Sequence, residues 1–211
     1  MEDSLKEEYR SKKEKIEERL REFKNLWVLR DHRKLFKEFV FCLLTPQSRA
    51  RICWEAAERM EKSGSLWKGK AQDIARDLKG VRFKNQKARY ILEAREKYFK
   101  NGRFLLVDFI EKLNPGEARD FLVKKVRGMG LKEASHFLRN IGFTQELAIL
   151  DRHILKNLAK LGVIEGIPST LTKGKYLEIE GRMKDFSRKV EIPLSHLDLL
   201  FWSRESGEIF K

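Results

Sequence analysis

Cysteine is scarce: the 211 residues contain only Cys42 and Cys53. Two thiols cannot supply the four ligands of an all-cysteine iron–sulfur cluster or a zinc ribbon. Both lie among apolar neighbours, so they are expected to pack as small buried hydrophobes in a reducing compartment. No apolar run approaches the length of a membrane span. The opening MEDSLKEEYRSKKEK is hydrophilic and lacks the apolar core of a signal peptide. Internal repeats, low-complexity tracts and alternating strand-like segments are missing as well. A soluble, cytoplasmic protein with no membrane association is the expectation.

Charge, by contrast, is abundant. Charged residues make up 37% of the chain, and 46 Lys+Arg against 32 Asp+Glu give a formal net charge of +14. A surplus of that size on a folded domain favours a polyanionic partner, nucleic acid first. Acidic residues are plentiful too, so heat adaptation or ribosome association would produce a similar balance. A hydrophobic content of 41% supports a true core, and the length suits one domain built of two small subdomains around a cleft.

Helical periodicity runs through the chain. Residues 4–27 place Tyr9, Ile16, Leu20 and Phe23 at helical spacing on a charged background. An apolar helix over 35–44 ends at Thr45-Pro46, a pair expected to cap and start the next helix, which runs through Met60. Further helices are expected over 71–78, 84–99, 117–126, 132–140, 151–161, 172–189 and 193–203. About ten short helices make an all-α protein, and their loop spacing fits two lobes rather than a long bundle.

The most informative stretch is Val126-Arg127-Gly128-Met129-Gly130-Leu131-Lys132. It reads as helix, tight turn, helix, a hairpin over about 117–141. Gly128 and Gly130 permit positive backbone dihedrals and let a ligand approach the main chain. Amides at the second helix's N-terminus would then cradle phosphate without reading sequence. A plain helix–turn–helix with closely packed glycines fits the same pattern. Lys132 stands two residues past the second glycine. Asp151 follows nineteen residues later in Ala148-Ile149-Leu150-Asp151-Arg152-His153, where a helix begins.

This arrangement resembles the helix-hairpin-helix DNA glycosylase superfamily, in which a Gly-x-Gly-x-Lys hairpin precedes an apolar run ending in Asp-x-His. Upstream, Leu43-Leu44-Thr45-Pro46-Gln47-Ser48 is similar to that superfamily's other helix start, which carries a glutamine wedge. At the far end, Leu197-Asp198-Leu199-Leu200-Phe201-Trp202-Ser203-Arg204 and Gly207-Glu208-Ile209-Phe210-Lys211 resemble the archaeal-type 8-oxoguanine DNA glycosylase/AP lyases. Those are short, cluster-free chains, and the likeness spans essentially the whole sequence.

The resemblance implies a bifunctional repair enzyme acting on double-stranded DNA that contains 8-oxoguanine or abasic sites. A monomer is expected because the helices leave no obvious unpaired apolar stripe, and a nucleoid-associated protein with no cofactor or metal is expected. Lys132 would be the nucleophile that displaces the base and forms an imine with the sugar, permitting β-elimination. The positive end of its helix disfavours an ammonium there. Asp151 would be the carboxylate that stabilises the developing positive charge, and it can cap its helix at the same time.

A flipped nucleotide leaves a gap in the duplex, which Gln47 would fill; Arg49 nearby would contact phosphate, as would the main chain at Gly128 and Gly130. Lys211 would tell 8-oxoguanine from guanine. A main-chain or terminal carboxylate oxygen accepts the N7 hydrogen of the damaged base and repels the lone pair of guanine. Trp202 would stack on the extruded base, Asp198 would bond its edge, and Phe210 would dock the tail. Core packing is the competing expectation for Trp202, and for Phe83. A related glycosylase for oxidised pyrimidines or thymine mispairs stays open. So does a non-catalytic hairpin module bound to DNA, although that needs no Lys132 with Asp151. A structural RNA-binding protein would account for the charge alone.

Overall fold

The computed structural model describes residues 2–211. Among these, twelve helices and one two-residue β-hairpin follow in the order α1 Glu2–Leu29, α2 His32–Leu44, α3 Ala50–Ser63, α4 Ser65–Lys68, α5 Ala71–Asp77, α6 Lys84–Tyr98, β1 Phe99–Lys100, β2 Arg103–Phe104, α7 Leu106–Ile110, α8 Pro115–Lys125, α9 Leu131–Asn140, α10 Arg152–Lys160, α11 Lys173–Val190 and α12 Leu194–Ser206. The protein is thus helical throughout. The antiparallel β1–β2 pair, with Phe99 opposite Phe104, is an ornament that carries Phe104 into the core.

Local chemistry sets many of the boundaries. Asn114 accepts the Glu117 N–H at 3.0 Å while Glu117 accepts the Asn114 N–H at 3.1 Å, a reciprocal cap on α8 with Pro115 at its first position. Asp31 and Thr172 cap α2 and α11 through their side chains. Gly64 and Gly207 end α3 and α12 in left-handed conformation.

Two clusters of buried side chains form. One gathers α2, α3, α6, α8 and α9 around Phe36, Phe39, Phe41, Phe104 and Phe137. The other joins α1, α10, α11 and α12 around Ile16, Leu20, Phe23, Tyr176, Met183 and Phe201. Helix α9 packs against α1, α2 and α8, so it runs between the clusters. That position brings its N-terminal turn, with Lys132, beside elements of both.

One boundary differs from expectation. Thr45-Pro46 does not start the next helix: α2 ends at Leu44, a turn follows, and α3 begins at Ala50 with Arg49 as a cap that makes no side-chain bond. The ammonium of Lys87, reaching in from α6, bonds the carbonyls of Leu44 and Pro46 and holds that turn open. Sequence spacing could not show a partner 41 residues away. Helix α7 also went unforeseen, being too short to display a period.

Candidate active site

Lys132 projects from the first turn of α9. Gly130 precedes it in extended conformation, and its N–H is accepted by Glu133 Oε2 at 3.2 Å. The other oxygen of Glu133 lies 2.9 Å from Lys132 Nζ. The amine also donates to Thr45 Oγ1 at 3.1 Å, while the Thr45 hydroxyl donates to the Cys42 carbonyl at 2.9 Å. With its own proton committed, Thr45 can only accept from the lysine. The Lys132 side chain keeps 22% of its exposure and that of Glu133 11%. The amine is sheltered yet reachable.

Asp151 is the N-cap of α10. Its Oδ1 accepts both the His153 N–H at 2.8 Å and the Ile154 N–H at 2.9 Å. One oxygen therefore serves the helix, and Oδ2 carries neither cap bond. The strand-like approach to Asp151 is pinned from α11. Glu180 accepts the Ala148 N–H at 2.9 Å, and the Tyr176 hydroxyl donates to the Ala148 carbonyl at 2.6 Å and accepts the Leu150 N–H at 3.3 Å. Glu180 in turn pairs with Arg119 of α8. The main chain leading to Asp151 is thereby tied through α11 to α8, the first helix of the hairpin.

Asp198 of α12 is buried, with Oδ2 3.0 Å from Arg139 Nη2. Burial pushes its carboxyl up to about 7; Arg139 pulls it down, Asp151 pushes it further up and Lys132 pulls it down. Lys132 and Asp151, from two separate helix starts, thus act electrostatically on one buried acid.

The segment 207–211 docks against α2 and α3. The Lys211 ammonium pairs with buried Glu38 and stands 3.8 Å from the Trp54 ring centroid. Glu38 holds Asn140 Nδ2 at 3.2 Å with its second oxygen. Phe210 lies 6.0 Å from Trp202 and 6.4 Å from Phe41, with the Arg51 guanidinium 4.6 Å above its ring. Trp202 is half-buried and spends one side on Phe210. The buried His136 ring lies against the Lys211 main chain, which raises its basicity a little, but the contact falls outside ordinary hydrogen-bond geometry. Burial, with Arg139, Lys132 and Lys211 nearby, drives its basicity well below the ordinary range.

At the hairpin, Gly128 is left-handed at φ +84°, and a Cβ there would fall 2.4 Å from the Tyr90 ring. Gly130 does not use its freedom: at φ −95° it is ordinary extended backbone. Of the two glycines that permit a positive dihedral, only Gly128 adopts one. Next to this turn, Asn85, Gln86, Arg89, Tyr90 and Arg127 line a surface pocket of about 350 Å³. Gln47 and Arg49 are both exposed, but Gln47 sits in the middle of the turn rather than at a helix start, at φ +54°. No three His, Cys, Asp or Glu side chains among the described residues are disposed to hold a metal.

Of the residues singled out by sequence, Lys132 stands in the first turn of α9, Asp151 caps α10 and Asp198 is buried on α12, while Phe210 and Lys211 form the tail that packs beside Trp202 of α12. Gln47, Arg49, Gly128 and Gly130 lie on turns at the surface beyond them. Thr45, Glu133, His136, Arg139 and Glu38 escaped the sequence reading. Glu133 had a signal, three residues past Gly130 in a capping position; the others are neighbours only in three dimensions.

A helical protein with a glycine hairpin, a lysine on its second helix and an aspartate that caps the helix after it belongs among the helix-hairpin-helix DNA glycosylases. The profile described as 8-oxoguanine DNA glycosylase matches residues 16–192, and the chain belongs to that family. A protein named 8-oxoguanine DNA glycosylase/AP lyase from Fusobacterium nucleatum is 47% identical over 96% of this chain and 94% of its own length. One of the same name from Methanocaldococcus jannaschii is 40% identical over 94% and 93%. The crystal structure of the M. jannaschii 8-oxoguanine glycosylase/lyase in complex with a 15mer DNA containing 8-oxoguanine superposes with a TM-score of 0.89 at 36% identity, covering 100% of this chain and 99% of that one. The Thermotoga maritima 8-oxoguanine DNA glycosylase gives 0.87 at 31% identity, covering 100% and 98%.

Proposed function

We propose that the protein excises 8-oxoguanine from double-stranded DNA and then cleaves the abasic strand, with Lys132 as nucleophile and Asp151 as the carboxylate that supports it. The observation that supports this reading is the sheltered Lys132 amine in the first turn of α9, held by Thr45 and Glu133, with Asp151 capping α10 through one oxygen and leaving the other free of the cap bonds. Once Glu133 has taken a proton from it, the Lys132 amine attacks C1′, and the bond to the base nitrogen breaks with its electron pair, the base leaving with a proton that Nζ sheds. Asp151 stabilises the positive charge that develops on the sugar as that bond lengthens. Ring opening gives an imine between Nζ and C1′. The imine acidifies the C2′ hydrogen, and loss of that proton expels the 3′ phosphate by β-elimination. Water then hydrolyses the imine and frees the amine. Glu133, in contact with Nζ at 2.9 Å, is placed to take the first proton.

The lesion enters by extrusion from the duplex. Gln47, exposed and prominent on its turn, fills the gap, and the backbone at Gly128 and Gly130 with Arg49 holds phosphates. The base is read by the wall of Asp198, Trp202, Phe210 and Lys211, the main-chain oxygen at Lys211 accepting the N7 hydrogen. The chain reads as one domain of two helical lobes, a monomer at work in the cytoplasm on nucleoid DNA. No helix among the described residues is long and apolar enough to cross a membrane.

Borohydride reduction during reaction with an 8-oxoguanine duplex tests the assignment. The wild type is expected to give a trapped protein–DNA adduct and a cleaved strand. Lys132→Gln removes both, and Asp151→Asn slows both by about 100-fold or more, the scale of losing a preorganised charge. Adduct formation that survives Lys132→Gln rejects the nucleophile.

A further inference from the structure

Lys87 is a lysine out of place. It belongs to α6, yet only 5% of it is exposed, which is rare for this residue type unless it is paired. Among the described residues no carboxylate lies within ion-pair distance of its ammonium. All three bonds instead go to one turn: the Leu44 carbonyl at 2.7 Å, the Pro46 carbonyl at 2.7 Å and Ser48 Oγ at 3.1 Å. Burial lowers its basicity, and the three acceptors offset that desolvation. The Ser48 hydroxyl also accepts the Arg82 N–H at 3.1 Å, and Cys53 Sγ donates to the Leu44 carbonyl at 3.2 Å.

Gln47 stands inside this clamp. It is exposed at φ +54°, a region that L-residues with a Cβ enter only when their surroundings enforce it. The carbonyl on its N-terminal side and the hydroxyl on its C-terminal side are both fixed by one ammonium, so the strained residue is held from either flank. A residue that must enter a base stack and displace a paired nucleotide has to be rigid, because each added conformer dilutes the productive one.

We propose that Lys87 is a positioning residue for base extrusion, its ammonium holding the turn that presents Gln47 to the duplex. The inference rests on Gln47 as the gap-filling residue and goes beyond that reading by naming what makes it rigid.

The test separates extrusion from the chemistry on the sugar. Full-length wild type, Lys87→Met, Lys87→Arg, Gln47→Ala and the Lys87→Met/Gln47→Ala double variant are run in single turnover on two duplexes. One carries 8-oxoguanine with 2-aminopurine beside it to report extrusion, and the other carries a preformed abasic site. Lys87→Met is expected to slow the fluorescence rise and base excision by about tenfold or more, equivalent to roughly 1.4 kcal/mol of barrier. Cleavage of the abasic duplex has no base left to extrude and falls less than excision does, by no more than the loosening of Thr45 against Lys132 accounts for. Lys87→Arg, which keeps donors for the two carbonyls, recovers most of the rate and controls for misfolding. The double variant is no slower than the slower single one, because residues acting as one unit are not additive.

Equal losses on both duplexes, full additivity, or a Gln47→Ala protein that extrudes as fast as wild type would each overturn the proposal. A wild type that extrudes the lesion but never excises it counts against the repair function alone, since the fluorescence still reports on Lys87.

Discussion

Arg119 and Glu180 meet in the interior at 2.7 Å, sixty-one residues apart and each almost fully buried. The second guanidinium nitrogen of Arg119 reaches the other carboxylate oxygen at 3.2 Å, so the pair is bidentate. It joins α8, the first helix of the hairpin, to α11, and Glu180 also holds the main chain at Ala148 that leads to Asp151. Removing one partner leaves a buried charge unpaired. Glu180→Ala is therefore expected to cost about 3–5 kcal/mol, read as a lower urea midpoint. A loss below about 1 kcal/mol, the scale of a surface pair, would show the pair does not brace the frame.

The contact between Lys132 and Thr45 sets the amine's direction rather than its charge. Thr45→Val keeps the volume but removes the acceptor at 3.1 Å. The lysine then samples other rotamers, and the fraction aimed at the sugar falls. The expected result is a drop of about tenfold in single-turnover excision with DNA affinity nearly unchanged, the signature of an interaction used in the reaction step. Weaker binding at an unchanged chemical rate would place Thr45 in the DNA contact surface instead.

Gly128 is the hairpin position that tolerates no side chain. Gly128→Ala is expected to lose about 1–2 kcal/mol from the left-handed backbone alone, with a further loss from the clash at 2.4 Å with Tyr90. A second substitution, Tyr90→Ala, relieves the clash but not the backbone strain. Denaturant midpoints of Gly128→Ala with Tyr90 intact and with Tyr90→Ala should therefore show partial rescue. Gly130→Ala, whose backbone is extended and whose nearest atom is the movable Glu133 Oε2 at 3.0 Å, should be milder. Equal costs at both glycines would contradict this division.

Much of this was legible in the sequence because helices announce themselves locally. The 3.6-residue period found nearly every long helix, and Asp151 and Gly130 stand at the helix starts their types favour. What stayed hidden depends on groups far apart in the chain. Lys87 looks like any surface lysine on α6, and nothing near it in sequence reveals three acceptors between Leu44 and Ser48. Glu38 reads as a charged interruption of the apolar α2 until Lys211 arrives from the other end of the chain. The misplaced helix start at Thr45-Pro46 has the same origin, since a local rule for proline met a tertiary clamp.

Asp198 sets two effects against each other, and pH shows which wins. Its ion pair with Arg139 at 3.0 Å favours the carboxylate, whereas burial favours the acid, and burial prevails, raising the carboxyl from an ordinary 3.8 to about 7. Between those values the folded chain holds a proton that the unfolded chain has released. Stability from this group is therefore complete below the unfolded value and is lost as pH climbs through the folded one. Asp198→Asn has no proton to lose and serves as the reference. Urea midpoints at constant ionic strength, measured from about pH 5 to about pH 8, are expected to fall for wild type relative to the variant, most steeply between about pH 5 and about pH 6 and levelling off through neutrality. A wild type that gains on the variant over the same range would mean that the Arg139 pair, not burial, governs this acid. Lys132 and Asp151 would then face a full carboxylate at the working pH instead of a group poised midway through its titration.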